Sequence, residues 1–148
     1  MKRHEALQSL SRDHHRALFV AQRMRRAEDA RAAAAEFEEF FKGHGQRHFQ
    51  IEEQVLLPLW ARLGAVDRQA AARLADEHLS IRTRALELAE SPDLEAVHDL
   101  GVELDAHVRF EERQLFPAIE RDLDDEALAA LARAVAEAES AAEADEAS

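Results

Sequence analysis

The sequence predicts an all-α fold, on three observations. Only four Gly and three Pro interrupt a chain of 148 residues that is rich in Ala, Leu, Glu and Arg, the strong helix formers. No stretch sustains the apolar–polar alternation that a half-buried strand needs. Apolar residues recur instead at steps of three and four, in long blocks separated by turn chemistry.

The first block runs from about Lys2 to Arg26 and puts Leu7, Leu10, His14 and Leu18 on one face. The second, from about Asp29 to Leu63, turns Phe37, Phe41, His44, His48, Glu52 and Leu56 inward and stops at Gly64. A third block spans about Asp67 to Glu90, with Leu74, His78, Ile81, Ala85 and Leu88 on its core face, and Ser91-Pro92-Asp93 ends it. Asp93 is placed to cap a fourth, from about Leu94 to Arg121, whose face is Leu100, Leu104, His107, Glu111 and Leu115. A shorter amphipathic segment begins near Asp124 and gathers Leu128, Leu131 and Val135 on one side.

Four long helices with short connections predict an antiparallel up-down four-helix bundle with a short fifth C-terminal helix packed across it. Residues 1–140 then form one domain, and 141–148, acidic and without large apolar residues, are expected to fray. Pro58 and Pro117 fall inside the second and fourth helices, where a missing N–H predicts a kink or an end to the regular turn.

Composition narrows the function. The absence of Cys removes disulfides, thiolate metal sites and iron–sulfur clusters, and the absence of Tyr removes tyrosyl radicals and Tyr ligands. A net charge of -12, with Arg interleaved among acids as in RRAEDAR, argues against nucleic acid. No apolar run reaches the length of a bilayer span and no signal-peptide pattern opens the chain, so a soluble, cytoplasmic protein without a membrane partner is expected.

The chain also repeats itself. HFQIEEQVLLP from His48 and HVRFEERQLFP from His107 share a His, two Glu four and five residues on, a Leu eight on and a Pro ten on. Ahead of each copy stands a second shared element, LSRDH ending at His14 and LADEH ending at His78. Each half therefore reads L-x-x-acid-H on one helix and H-x-x-x-E on the next. A lone inward His is more often a hydrogen-bonded core residue than a ligand, and an i,i+4 His–Glu pair arises by chance. Four His and two Glu on four core faces, with the halves matching, are a different matter. A buried carboxylate without a partner costs several kcal/mol or takes up a proton, so six such groups need a common counter-charge. Two divalent or trivalent cations supply it, each taking two His while the Glu bridge.

Other candidates weigh less. His44, one turn before His48, is placed as a further ligand, a proton donor or a channel residue. Glu95 and His98 match the E-x-x-H element of ferritin-like di-iron proteins, but only once, and His98 is half a turn out of phase with His107. Trp60 and the seven Phe read as core, with Phe41 and Phe110 placed to wall the site; His4 and His15 read as surface.

The order H…H-x-x-x-E…H…H-x-x-x-E resembles the hemerythrin-like (HHE cation-binding) family, up to about Arg121. That resemblance implies a non-haem di-iron centre, two Fe ions bridged by carboxylates and an oxo or hydroxo group. His14 and His48 would hold one iron, His78 and His107 the other, and Glu52 and Glu111 would bridge. Glu53 and Glu112, about 100° further round their helices, read as outer-shell or surface groups. Oxygen-carrying members carry a fifth His one turn after the ligand His of the third helix, where this chain has Arg82, so an extra position is expected to stay open. The leading expectation is a centre that binds or processes a small oxidant, dioxygen, hydrogen peroxide or nitric oxide, without turnover being established by sequence. The alternative is an iron or oxygen sensor, although no large exposed apolar stripe announces a protein partner.

Overall fold

The computed structural model describes residues 2–147, and among them every regular element is helical. There are five continuous helices: α1 (Glu5–Arg25), α2 (30–63), α3 (Arg68–Glu90), α4 (94–122) and α5 (Asp125–Ala147). Acids start four of them. Asp29, Asp67, Asp93 and Asp124 accept from the N–H groups of Ala32, Ala70, Ala96 and Ala127 at 2.8–3.1 Å, each satisfying a donor the helix leaves free. His4, expected at the surface, caps α1 instead: its Nδ1 accepts from the N–H of Ala6 at 3.0 Å.

Gly64 does end α2, but in extended backbone (φ -149°, ψ -159°) rather than the left-handed form. Space is what demands a glycine there. A Cβ would run into the Asp122 carboxylate and Leu123. Asp122 in turn accepts from Trp60 Nε1 at 2.7 Å and the Ala65 N–H at 2.8 Å, tying the end of α2 to the end of α4.

Pro58 and Pro117 do interrupt the regular α turn, as expected, but without ending the helix. Each is preceded by one π-helical turn, Glu52–Leu56 in α2 and Glu111–Leu115 in α4. The N–H of Leu57 bonds the Glu52 carbonyl and that of Phe116 the Glu111 carbonyl, five residues back. A proline cannot donate and its ring crowds the carbonyl four residues earlier, so a wider turn ahead of it relieves the clash and keeps the axis going. A third π turn, Phe41–Gly45, lies in α2 alone.

Two apolar clusters fill the interior. One joins Leu7, Leu10, Leu56, Trp60, Leu74, Phe116 and neighbours with Leu128, Leu131 and Val135 of α5. The other joins Val20, Met24, Phe37, Phe40, Phe49, Ile81, Leu88, Leu100 and Leu104. Helix α5 thus completes the first cluster only. It is also 23 residues long rather than short, and its helix runs through 141–147, where strong helix formers outweigh the lack of anything to bury. Ser148 lies outside the described residues. Phe19, read as core, is 58 % exposed. No helix among the described residues is long and apolar enough to cross a membrane.

Candidate metal centre

Between the two clusters lies a polar layer. His14 sits between Leu10 of one cluster and Ala17 of the other, and His78 between Leu74 and Ile81. His48 and Glu52 of α2 and His107 and Glu111 of α4 complete the layer, and all six side chains are buried.

The two carboxylates face both pairs of imidazoles. Glu52 Oε1 lies 3.1 Å from His78 Nε2, and its Oε2 lies 3.2 Å from His48 Nε2. Glu111 Oε1 lies 3.4 Å from His14 Nε2 and 3.5 Å from those of His48 and His107. His14, His48, Glu52 and Glu111 each offer an atom within 4.8 Å of the others, and so do Glu52, His78, His107 and Glu111. The structure therefore brings together all six residues singled out in the sequence, with both Glu shared between the two sets.

Most of these approaches are not hydrogen bonds. Nε2 of His48, His78 and His107, both oxygens of Glu52 and Oε2 of Glu111 are buried with no hydrogen-bond partner. Leaving one such atom bare costs about 1–3 kcal/mol, and six of them gathered in one buried layer is an arrangement that calls for a common partner. Imidazole nitrogens with carboxylate oxygens are the donor set of a first-row transition ion, so the residues present fit a metal.

The far side of each ring is held as well. Nδ1 of His14 bonds Glu112 at 2.6 Å, that of His48 bonds Asp13 at 3.0 Å, that of His78 bonds Glu53 at 2.5 Å and that of His107 bonds Glu77 at 2.7 Å. A proton on Nδ1 leaves Nε2 as the bare donor, which is how outer carboxylates aim metal-binding histidines. Every one of these acids is the chain neighbour of a residue in the inner set, and it serves a ring on a different helix. The sequence marked Asp13 and Glu77 only as the acid kept in both halves and left Glu53 and Glu112 between outer shell and surface. Which ring each one meets is decided by packing.

Charge is poised accordingly. Burial and the neighbouring Glu111 push the Glu52 carboxyl well above its usual range. Burial would do the same to Glu111, but the charge of His107 and the close approach of His14 and His48 outweigh it and hold Glu111 well below. A cation would replace the proton that Glu52 otherwise keeps. Burial and the charge of His107 lower His78 to about 4, whereas for His14 the hydrogen bonds with Glu111 and Glu112 overcome burial and raise it.

A cavity lies beside the extra π turn. Of about 40 Å³ and mostly apolar, it is lined by Phe40, Phe41, His44, Leu104 and Val108 and reaches His14, His48, His107 and Glu111. His44 belongs to neither ligand-capable set. Arg82 is not in the inner layer either; its guanidinium grips Glu53 at 2.7 and 3.1 Å. His98 turns away, its Nε2 2.9 Å from the Ala27 carbonyl beside the α1–α2 connection. Phe110 belongs to the apolar cluster shared with α5 and does not line the cavity.

The family model for the hemerythrin HHE cation-binding domain matches residues 6–119. The chain belongs to that family. The matched span takes in the whole hemerythrin polar layer and ends before α5, and cation binding is the property the family's description names. Neither a curated protein nor a solved structure matches this hemerythrin domain.

Proposed function

We propose that this hemerythrin domain holds two iron ions, His14 and His48 on one side, His78 and His107 on the other, with Glu52 and Glu111 bridging, and that the centre binds or processes a small oxidant. The set of six partnerless buried atoms carries the metal reading. The cavity supports the ligand class: at about 40 Å³ and mostly apolar, it admits molecules as small as dioxygen, nitric oxide or hydrogen peroxide. Iron bound here would supply an exchangeable coordination position and redox chemistry. The protein's own part is to exclude bulk water with Phe40, Phe41 and Leu104, and to place His44 where it can hand over a proton.

The paired contacts also support an antiparallel up-down arrangement of α1–α4. Asp13 meets His48 while Arg23 meets Glu36, and Glu77 meets His107 while Arg84 meets Glu103. Gln46 meets Arg82 while Glu53 meets His78, so neighbouring helices are matched in opposite order.

Aerobic purification followed by metal analysis and absorption spectra, before and after dioxygen, peroxide or nitric oxide, tests the proposal. Two metals per chain are expected. Glu111→Ala, which removes a group shared by both positions, is expected to lower iron content below that of His14→Ala. Equal iron in wild type and both variants would sink the proposed ligand set, and a spectrum indifferent to all three molecules would sink the oxidant reading.

A further inference from the structure

Two arginines outside the metal layer make similar arrangements around two different histidines, although Arg3 also pairs with Glu120. His78 stacks on Phe49, with ring centroids 3.7 Å apart and planes 10° from parallel, and Arg82 lies over the same Phe49 ring at 5.3 Å. Arg82 also grips Glu53 through both oxygens, and Glu53 holds His78 Nδ1. Its Nε donates to Gln46 Oε1 at 2.9 Å, which fixes the direction of the guanidinium plane. His14 stacks on Phe116 at 5.4 Å and 11°, and Arg3 lies 5.5 Å from that ring. Arg3 donates to Glu112 Oε1 at 3.1 Å and to the Glu112 carbonyl at 2.8 Å, and Glu112 holds His14 Nδ1. That carbonyl lies five residues before Pro117, which has no N–H to offer it.

The duplication explains the His and the Glu of this likeness but not the Phe and the Arg. Aligning His14 with His78 puts Leu18 opposite Arg82 and Asp67 opposite Arg3, and aligning His48 with His107 puts Val108 opposite Phe49 and Leu57 opposite Phe116. The His and the Glu of the two rings are matched by the duplication, but the Phe and the Arg have been supplied twice from unmatched positions. His48 and His107 show no such ring: Asp13 alone holds one, and Glu77 with Arg73 holds the other, with Arg73 lying over Phe110 instead.

We propose that Arg82 and Arg3 are positioning residues of the metal centre, each fixing one histidine by way of both the carboxylate on its Nδ1 and the aromatic ring on its face. The inference rests on the metal reading above. Physically, the carboxylate sets the tautomer, the stacked ring sets the imidazole plane, and the arginine locks both supports. The Glu53 and Glu112 side chains are each 29 % exposed, so the arginine on each limits its turning toward water, helped at Glu112 by Ser11 Oγ, which donates to it at 2.7 Å. An ordinary half-exposed ion pair adds little to stability. The signature of positioning is therefore a change in metal retention without a matching change in fold stability.

The test uses ferrous-loaded full-length protein under anaerobic conditions, with the rate of iron removal by a chelator as readout and the melting temperature of the metal-free form as control. Arg82→Ala is expected to release iron about tenfold faster, the lower end of what loss of an outer-shell partner does. Arg82→Lys, which keeps the charge but not the bidentate grip, should fall between it and wild type. Arg84→Ala, which removes the neighbouring Arg84–Glu103 pair on α3, should match wild type. Adding Arg82→Ala to Glu53→Gln should speed release less than it does in wild type. The same comparison for Arg3→Ala with Glu112→Gln tests the other half. A wild-type rate in Arg82→Ala, an equal effect of Arg84→Ala, or full additivity with Glu53→Gln overturns the proposal while leaving the metal reading intact. Failure of the wild type to retain iron overturns both. If Arg82→Ala does not fold, the Arg82→Lys rate decides, and no change there overturns the assignment.

Discussion

His14, His48, His78 and His107 differ from ordinary core histidines in that each has one nitrogen hydrogen-bonded outward and the other turned toward the shared carboxylates. Substituting an outer acid should therefore weaken metal binding while leaving the inner set in place. Glu112→Gln is expected to cost about 10–100-fold in iron affinity, measured by competition with a chelator. A second consequence follows in the metal-free protein. Burial would raise the Glu112 carboxyl, but hydrogen bonds from His14, Ser11 and Arg3 win and lower it from 4.5 to about 2. A carboxyl depressed on folding stabilises the fold above its unfolded value, and that contribution is lost as pH falls from about 4.5 toward 2. Thermal melts across this range should show a shallower acid arm for Glu112→Gln than for the wild type. At this scale the inner six were legible, because helical period and duplication both point to them. The pairing of outer acids was not: a residue beside a ligand lies about 100° round the helix, and only packing decides which ring it reaches.

Helix limits were legible to within a few residues, since Asp29, Asp67 and Asp93 cap, Gly64 stops and Ser91-Pro92 interrupts. Of the π turns, only the failure of the regular turn near each proline was legible, because the apolar period is carried across them. Their placement gives them a role beyond accommodating a ring. In both long helices the wide turn opens at the shared glutamate, Glu52 or Glu111, and ends before Pro58 or Pro117. Each bulge adds a residue to the turn that follows the glutamate, whose own N–H still bonds the carbonyl of the histidine four residues back, and so sets how the glutamate's end of the layer meets the turn that carries the proline. Replacing both prolines by alanine restores two donors and removes the crowding, so the turns are free to relax to α geometry. The expected result is unchanged or greater helical ellipticity together with lower iron content. Full iron content in the double variant would mean that packing around the carboxylates, and not the prolines, holds the turns open. In α2 the pair Gly43 and Gly45 was the available hint of the third bulge. A Cβ at Gly45 would come within 2.7 Å of the Phe41 ring, so the glycine there makes room for a wall of the cavity.

The whole molecule is built as two apolar clusters with a layer of ionisable groups between them, and α5 closes one end only. Such a layer is a weak point unless it is neutralised, since buried groups without partners oppose folding while the clusters on either side favour it. The layer draws on α1, α2, α3 and α4, so anything bound there ties four helices together at mid-height. Ligand that binds the folded chain and not the unfolded one stabilises by about 2.7 kcal/mol when present at a hundred times its dissociation constant. Removing metal with a chelator should therefore lower the melting temperature, and adding ferrous iron to the stripped sample should restore part of the loss. The stripped protein should stay helical, because capping and the two clusters persist, so the change belongs in the melting temperature rather than in the starting ellipticity. His14→Ala and Glu111→Ala proteins, stripped in the same way, should regain less on adding iron than the wild type regains. A wild type whose melting curve is the same with verified metal and verified absence of metal would show that the layer is tolerated by the fold on its own, and the metal reading would lose its energetic basis.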